Sequence, residues 1–101
     1  MGKRLDLHKL LCDVLGTNNV YFKPPSTVRM EYPCIVYDRS KIFTKSANNR
    51  PYWHEKQYTV TLIDRDPDSI FPDRLAELPG CRHDRQYQAD RLYHDVFTIN
   101  Y

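Results

Sequence analysis

The feature that most constrains this chain is a pair of strand-forming runs that lose their apolar character toward the loop they share. Tyr32-Pro33-Cys34-Ile35-Val36-Tyr37 is the most apolar strand of the 101 residues, and it runs on through Arg39-Ser40-Lys41-Ile42-Phe43 as that character fades. Pro33 has no N–H to give a ladder, so the strand is expected to begin there. The second run starts at Trp53 and alternates, with Tyr58, Val60 and Leu62 on one face and Thr59, Thr61 and Ile63 on the other. β-Formers on both faces imply that this end is covered on both sides. Its near end, Trp53-His54-Glu55-Lys56, is polar. Such a pair describes an antiparallel hairpin whose tip, Ala47 to Pro51, leaves the globule. The arm is expected over about residues 41–56.

The remaining segments frame that hairpin. Leu7, Leu10, Leu11, Val14 and Leu15 recur at helical spacing, so a first helix is expected over about residues 3–15, ended by Gly16-Thr17-Asn18-Asn19. Val20-Tyr21-Phe22 is a short β-prone run stopped by Pro24-Pro25. After the second long strand, Asp68 or Ser69 can cap a short helix carrying Ile70, Phe71, Leu75 and Leu78, with Pro72 in its first turn and Pro79-Gly80 closing it. Cys81 to Gln88 reads as a polar strand and Leu92 to Tyr101 as a final one, with a hairpin turn at Ala89-Asp90-Arg91. In the final strand Tyr93, Phe97, Ile99 and Tyr101 share a face. The order α-β-β-β-α-β-β predicts a single α+β domain over 1–101, with a small, mainly antiparallel sheet flanked by two helices.

Composition narrows the function classes. Fifteen basic residues against thirteen acidic ones leave a net charge of +2, and no Lys/Arg run is long enough to serve as a nucleic-acid footprint. Pairs such as Arg65-Asp66 and Asp73-Arg74 read as a self-neutralising surface. Eight Tyr, four Phe and one Trp favour strands and interfaces. Cys12, Cys34 and Cys81 are odd in number and unclustered, and Met1-Gly2-Lys3-Arg4 leads into an amphipathic pattern without an apolar leader, so reduced thiols in a cytoplasmically made protein are expected. No apolar run is long enough for a membrane span.

Three glycines leave little room for a phosphate-cradling loop, and no nucleophile elbow or H-E-x-x-H pair is present. Asp64, Asp66, Asp68 and Asp73, with Glu55-Lys56 on the preceding strand, are the raw material of a metal-dependent nuclease. The competing use, turn and helix-cap chemistry, suits Asp equally and is preferred. His8 and Cys12 are four apart but without partners at ligand spacing. Cys81, His83 and His94 on facing strands are three soft ligands without an obvious fourth. Tyr52-Trp53 and Arg85-Gln86-Tyr87 come closest to an aromatic–basic nucleic-acid surface. No catalytic, metal or cofactor residue is therefore assigned.

The stretch EYPCIVYDRSKIFTKSANNRPYWHEKQYTVTLIDRDPDS resembles the small tail terminator proteins (tail completion, or head–tail joining) of long-tailed bacteriophages. The resemblance lies in the Y-P-C-I-V-Y strand, the A-N-N-x-P-Y hairpin tip and the K-x-Y-x-V-T-x-I-D-x-D-P-D-S strand and turn, with Asn48 standing where the family pattern is acidic. The closing LAELPGCRHDRQYQADRLYHDVFTINY extends it, so that it runs from about Leu5 to the C-terminus. It implies a non-enzymatic virion protein, made and assembled in the host bacterial cytoplasm. Such proteins form a ring, expected to be a hexamer of the chain with itself, on the head-proximal end of the tail tube. The ring stops tube polymerisation and docks the head connector or stopper protein, while DNA passes through its lumen without sequence-specific binding. No cofactor and no membrane are implied. Interface residues expected on this reading are Lys45, Asn48, Asn49, Arg50, Tyr52 and Trp53 on the arm, with Arg85, Tyr87 and Tyr101 elsewhere. The C-terminal strand is expected to be an edge available to a neighbouring subunit. The alternatives are another connector-layer protein of the same joint, a stopper or adaptor, and a metal-dependent nuclease or nucleic-acid module.

Overall fold

The computed structural model describes residues 4–24, 29–47 and 50–101, and over 43–47 and 50–55 it describes the backbone. The fold is α+β, in the order α1 (Arg4–Leu15), β1 (Val20–Phe22), β2 (Cys34–Ala47), β3 (Arg50–Asp64), α2 (Phe71–Ala76), β4 (Cys81–Ala89) and β5 (Leu92–Asn100). The five strands form one mixed sheet in the order β1-β2-β3-β5-β4, antiparallel throughout except for the β1–β2 pair.

Both helices lie on the same face of the sheet. The α1 stripe places Leu7, Leu11 and Leu15 in one cluster with Val20, Ile35, Tyr37, Tyr58, Val60, Leu62, Phe97 and Ile99, and α2 adds Leu75. Full burial of each such side chain is worth about 1.5–3 kcal/mol, which outweighs the modest propensity of a 12-residue helix. Gly16 ends α1 with φ of +80° while its N–H reaches the Cys12 carbonyl at 2.8 Å, a conformation that suits glycine. On the opposite face Val36, Thr59 and Thr61 are half-buried. The segment before β2 crosses there, the Glu31 N–H donating to the Tyr21 hydroxyl at 3.5 Å. Cys34 and Ile63 pair across β2 and β3 and are buried, so that end of the sheet is covered on both sides.

Three features differ from the sequence expectation. The hairpin strands are longer, β2 continuing to Ala47 and β3 resuming at Arg50. Pro51 lies within a strand because β3 there has a ladder on one side only. The short helix begins with Ile70 as its N-cap and makes no side-chain cap hydrogen bond, although Ser69 Oγ accepts the Phe71 N–H at 3.3 Å. Most consequentially, β5 is not an edge. It lies between β3 and β4, because Asp95 to Ile99 are all buried and both of its faces and both of its ladders are occupied. The edge is the polar β4, of which residues 82–89 are exposed.

Candidate functional site

The arm is set by where pairing stops. β3 pairs with β5 only from Gln57 to Asp64, and the Tyr101 N–H closes the sheet on the Lys56 carbonyl at 2.9 Å. Beyond that point β2 and β3 have only each other, with Lys41 opposite Gln57, Lys45 opposite Trp53 and Ala47 opposite Arg50. Register shifts between Arg39 and Lys41 and between Lys45 and Ser46 break the ladder twice, and bulges of this kind bend and twist a ribbon. The molecule measures 52 × 28 × 23 Å, and the ribbon lies along its length. Ile42, on this ribbon, is half exposed.

The expected interface residues fall into separate groups. Lys45, Arg50, Tyr52 and Trp53 occupy the outer ribbon, while Asn48 and Asn49 lie outside the described residues. Arg85 and Tyr87 sit on the edge strand toward the other end of the sheet, since Tyr87 pairs with His94 and His94 with Ile63. At about 3.3 Å per residue, Ile63 and Trp53 are roughly 33 Å apart along β3. Tyr101 joins neither group: it is half-buried and packs against the core cluster at the root of the arm.

Strand alternation and one bulge decide what β4 presents. Cys81 and His83 pair with Ile99 and Phe97 on the helix side, and the shift between His83 and Arg85 sets Arg85 and Tyr87 on the open side. There Tyr87 stacks on His94 at 4.6 Å between ring centroids, and the Arg85 guanidinium lies 5.4 Å from the Tyr87 ring. His94 was not expected in this group, although the cross-strand parity of two strands joined by a two-residue turn carries the signal. The bulged Asp84 accepts a hydrogen bond from the Thr98 hydroxyl and lies 3.5 Å from Arg82 Nε.

The chemistry considered from sequence does not assemble. Cys81 and His83 lie on the helix side while His94 lies on the open side, so the three soft ligands do not converge. Among the described residues no group of three or more His, Cys, Asp or Glu is placed to hold a metal ion. Asp64 Oδ1 accepts the Asp66 N–H and Asp66 Oδ1 the Asp68 N–H, at 3.2 and 2.9 Å, so this cluster builds the β3–α2 turn. Glu55 and Lys56 stand at the opposite end of β3. Burial pushes the Cys34 and Cys81 thiols up to about 11, aided by Asp64 and Asp84 respectively, which keeps both protonated at neutral pH and poorly nucleophilic.

One polar constellation was missed from sequence. Asp95 is buried on the helix side of β5, with His83 Nε2 3.0 Å from its Oδ1 and Gln86 Nε2 donating to its Oδ2 at 3.3 Å. They line a cavity of about 350 Å³ with Pro72, Asp73, Ala76 and Phe97. The imidazole edge meets the Phe97 ring at 5.0 Å. Among the described residues no hydroxyl or thiol is hydrogen-bonded to His83. Its evident work is to satisfy a buried carboxylate.

No family model matches the chain, and no curated protein matches it. No helix among the described residues is long and apolar enough to cross a membrane.

Proposed function

We propose that this chain is a structural, non-enzymatic virion protein. It forms a ring, of six copies on the tail-terminator resemblance, at the head-proximal end of a bacteriophage tail tube, ends tube polymerisation and joins the tail to the head connector. The observation that carries the reading is the two-stranded ribbon beyond Gln57, which leaves its own globule. A ribbon of this kind gains nothing from its own core and is well placed to add area to a neighbour. A closed ring needs this asymmetry, one surface of each subunit meeting a different surface of the next. The thiols held protonated and the turn-forming carboxylates agree with a protein that works by contact.

Electron microscopy of the purified protein, alone and with tail tubes, tests the proposal. Sixfold rings, or caps confined to one tube end, are the expected result. A twelvefold ring would move the chain to another layer of the connector, and a persistent monomer that binds duplex DNA with a steep salt slope would refute assembly. Trp53 lies four residues beyond the last β3–β5 pair. Trp53→Ala is therefore expected to weaken ring or joint assembly while leaving the circular dichroism spectrum and melting temperature of the monomer unchanged. Unfolding of that variant would make Trp53 a core residue and remove the arm's main support.

A further inference from the structure

The buried carboxylate between α2 and the β4 edge is only half used. An ionised carboxylate accepts at about four lone-pair sites on its two oxygens. Asp95 spends one on His83 Nε2 at 3.0 Å and one on Gln86 Nε2 at 3.3 Å. Its side chain is 8% exposed, and it lines the cavity of about 350 Å³ described above. Helix α2 brings a second carboxylate, Asp73, to the same cavity. Two carboxylates sharing one space repel, and a charge held out of water is tolerated only where it is paired.

Among the described residues nothing basic answers them except the imidazole. The titratable groups lining the cavity are Asp73, Asp95 and His83. The arginines of α2 and β4 are turned elsewhere. The Arg74 guanidinium lies 5.8 Å from the Phe71 ring, Arg82 Nε lies 3.5 Å from Asp84, and the Arg85 guanidinium lies 5.4 Å from Tyr87 on the open side. Glu77, the exposed C-cap of α2, adds to the same sign. The cavity is therefore negative whether His83 is neutral or protonated. The rest of its lining is apolar, Pro72, Ala76 and the Phe97 ring, with the Gln86 amide.

We infer that this cavity receives a guanidinium on an aliphatic stem, the arginine side chain of a partner protein. The carboxylates meet the charge, and the apolar lining takes the methylenes of the stem. A guanidinium is planar, weakly hydrated and forked, so it can reach the free lone pairs of a carboxylate at a lower desolvation cost than an ammonium. The partner as its source rests on the reading of this chain as a protein that works by contact. The site itself does not.

The test titrates isotope-labelled full-length protein with propylguanidinium while NMR follows the His83 ring and the Gln86 side-chain amide. A saturable shift of both is expected. Asp95→Asn alters a packed position, so the variant of choice is Asp73→Asn, on an exposed residue. It is expected to raise the half-saturating concentration on the order of tenfold. N-propylurea, neutral and of the same shape, is expected to give no saturable shift. Absence of saturation with propylguanidinium would overturn the inference. So would an equal response to N-propylurea or propylammonium, or an Asp73→Asn variant that binds as the unaltered chain does. The source is tested by carbethoxylation of His83, whose side chain is 42% exposed. Protection in the assembled joint, and loosening of that joint by propylguanidinium but not by N-propylurea, are expected. Equal reaction in the joint and the free subunit would overturn the partner assignment and give the site to a free alkylguanidinium. A chain that assembles with nothing would overturn the contact reading and the partner assignment with it, while the titration still decides the site.

Discussion

Tyr37 and Tyr58 are both buried tyrosines of one core, with ring centroids 6.2 Å apart, yet their hydroxyls differ in circumstance. The Tyr37 hydroxyl accepts from Arg4 at 3.1 Å and lies within hydrogen-bond distance of His8 Nδ1, at 2.7 Å. Among the described residues the Tyr58 hydroxyl has no hydrogen-bond partner. Removing a paired buried hydroxyl costs about 1–2 kcal/mol, whereas removing an unpaired one relieves a desolvation penalty. Tyr37→Phe is expected to lower the urea midpoint, and Tyr58→Phe to leave it unchanged or raise it. Burial, and then the nearby Arg4 charge, hold His8 below its ordinary value. Both causes favour its neutral form, so His8 contributes stability that is fully present above the ordinary histidine range. That contribution is lost as pH falls through the lowered folded value. Urea titrations at pH 7.5 and 5 should show a loss at the lower pH that is smaller in His8→Gln. Alternation along Tyr58 to Ile63 made the burial of Tyr58 legible, but a partner 29 residues away, such as His8 for Tyr37, leaves no trace in local spacing. Asp95 was missed for the same reason: only the bulged pairing with β4 shows what satisfies it.

Among the elements, the β4–β5 hairpin was the most legible and its place in the sheet the least. Asp90 and Arg91 both have positive φ, 53° and 64°, the geometry of a two-residue turn matched to strand twist. A left-handed residue with a Cβ costs about 1–2 kcal/mol, so Arg91→Gly is expected to raise stability by about 1 kcal/mol, read as a higher thermal midpoint. The same change is not transferable in reverse to Gly80, where φ is +75° and an added Cβ would lie 2.8 Å from the Asn100 carbonyl oxygen. Strand order went astray because the final strand was read by its position in the chain. Its composition points inward: Val96, Phe97, Thr98 and Ile99 suit a strand paired on both sides, and Arg82 to Gln88 suit an edge. The two edges are blunted in different ways, β1 by having three residues and β4 by charge and a bulge at Asp84, both of which discourage strand addition.

At the scale of the whole molecule, the α+β class and a hairpin reaching past the core were legible, because fading apolarity along two adjacent strands has few other physical meanings. The path of α2 was not, since only the tertiary fold brings residues 71–81 back beneath the sheet to pair Cys81 with Ile99. The ribbon has one further consequence. From Arg50 to Lys56, Pro51 aside, each backbone amide either faces β2 or faces outward, and outward amides have no third strand to protect them. In deuterated water the outward set should therefore exchange within seconds in a free subunit, while amides of β3 between Tyr58 and Ile63, paired on both sides, hold their protons far longer. Capture of the arm by a neighbour would slow the outward set and leave the inner ones unaltered. If the proposed ring forms, mass spectrometry of peptides from this one strand reads fold and assembly side by side, its inner half timing the opening of the core and its outer half timing the release of a subunit.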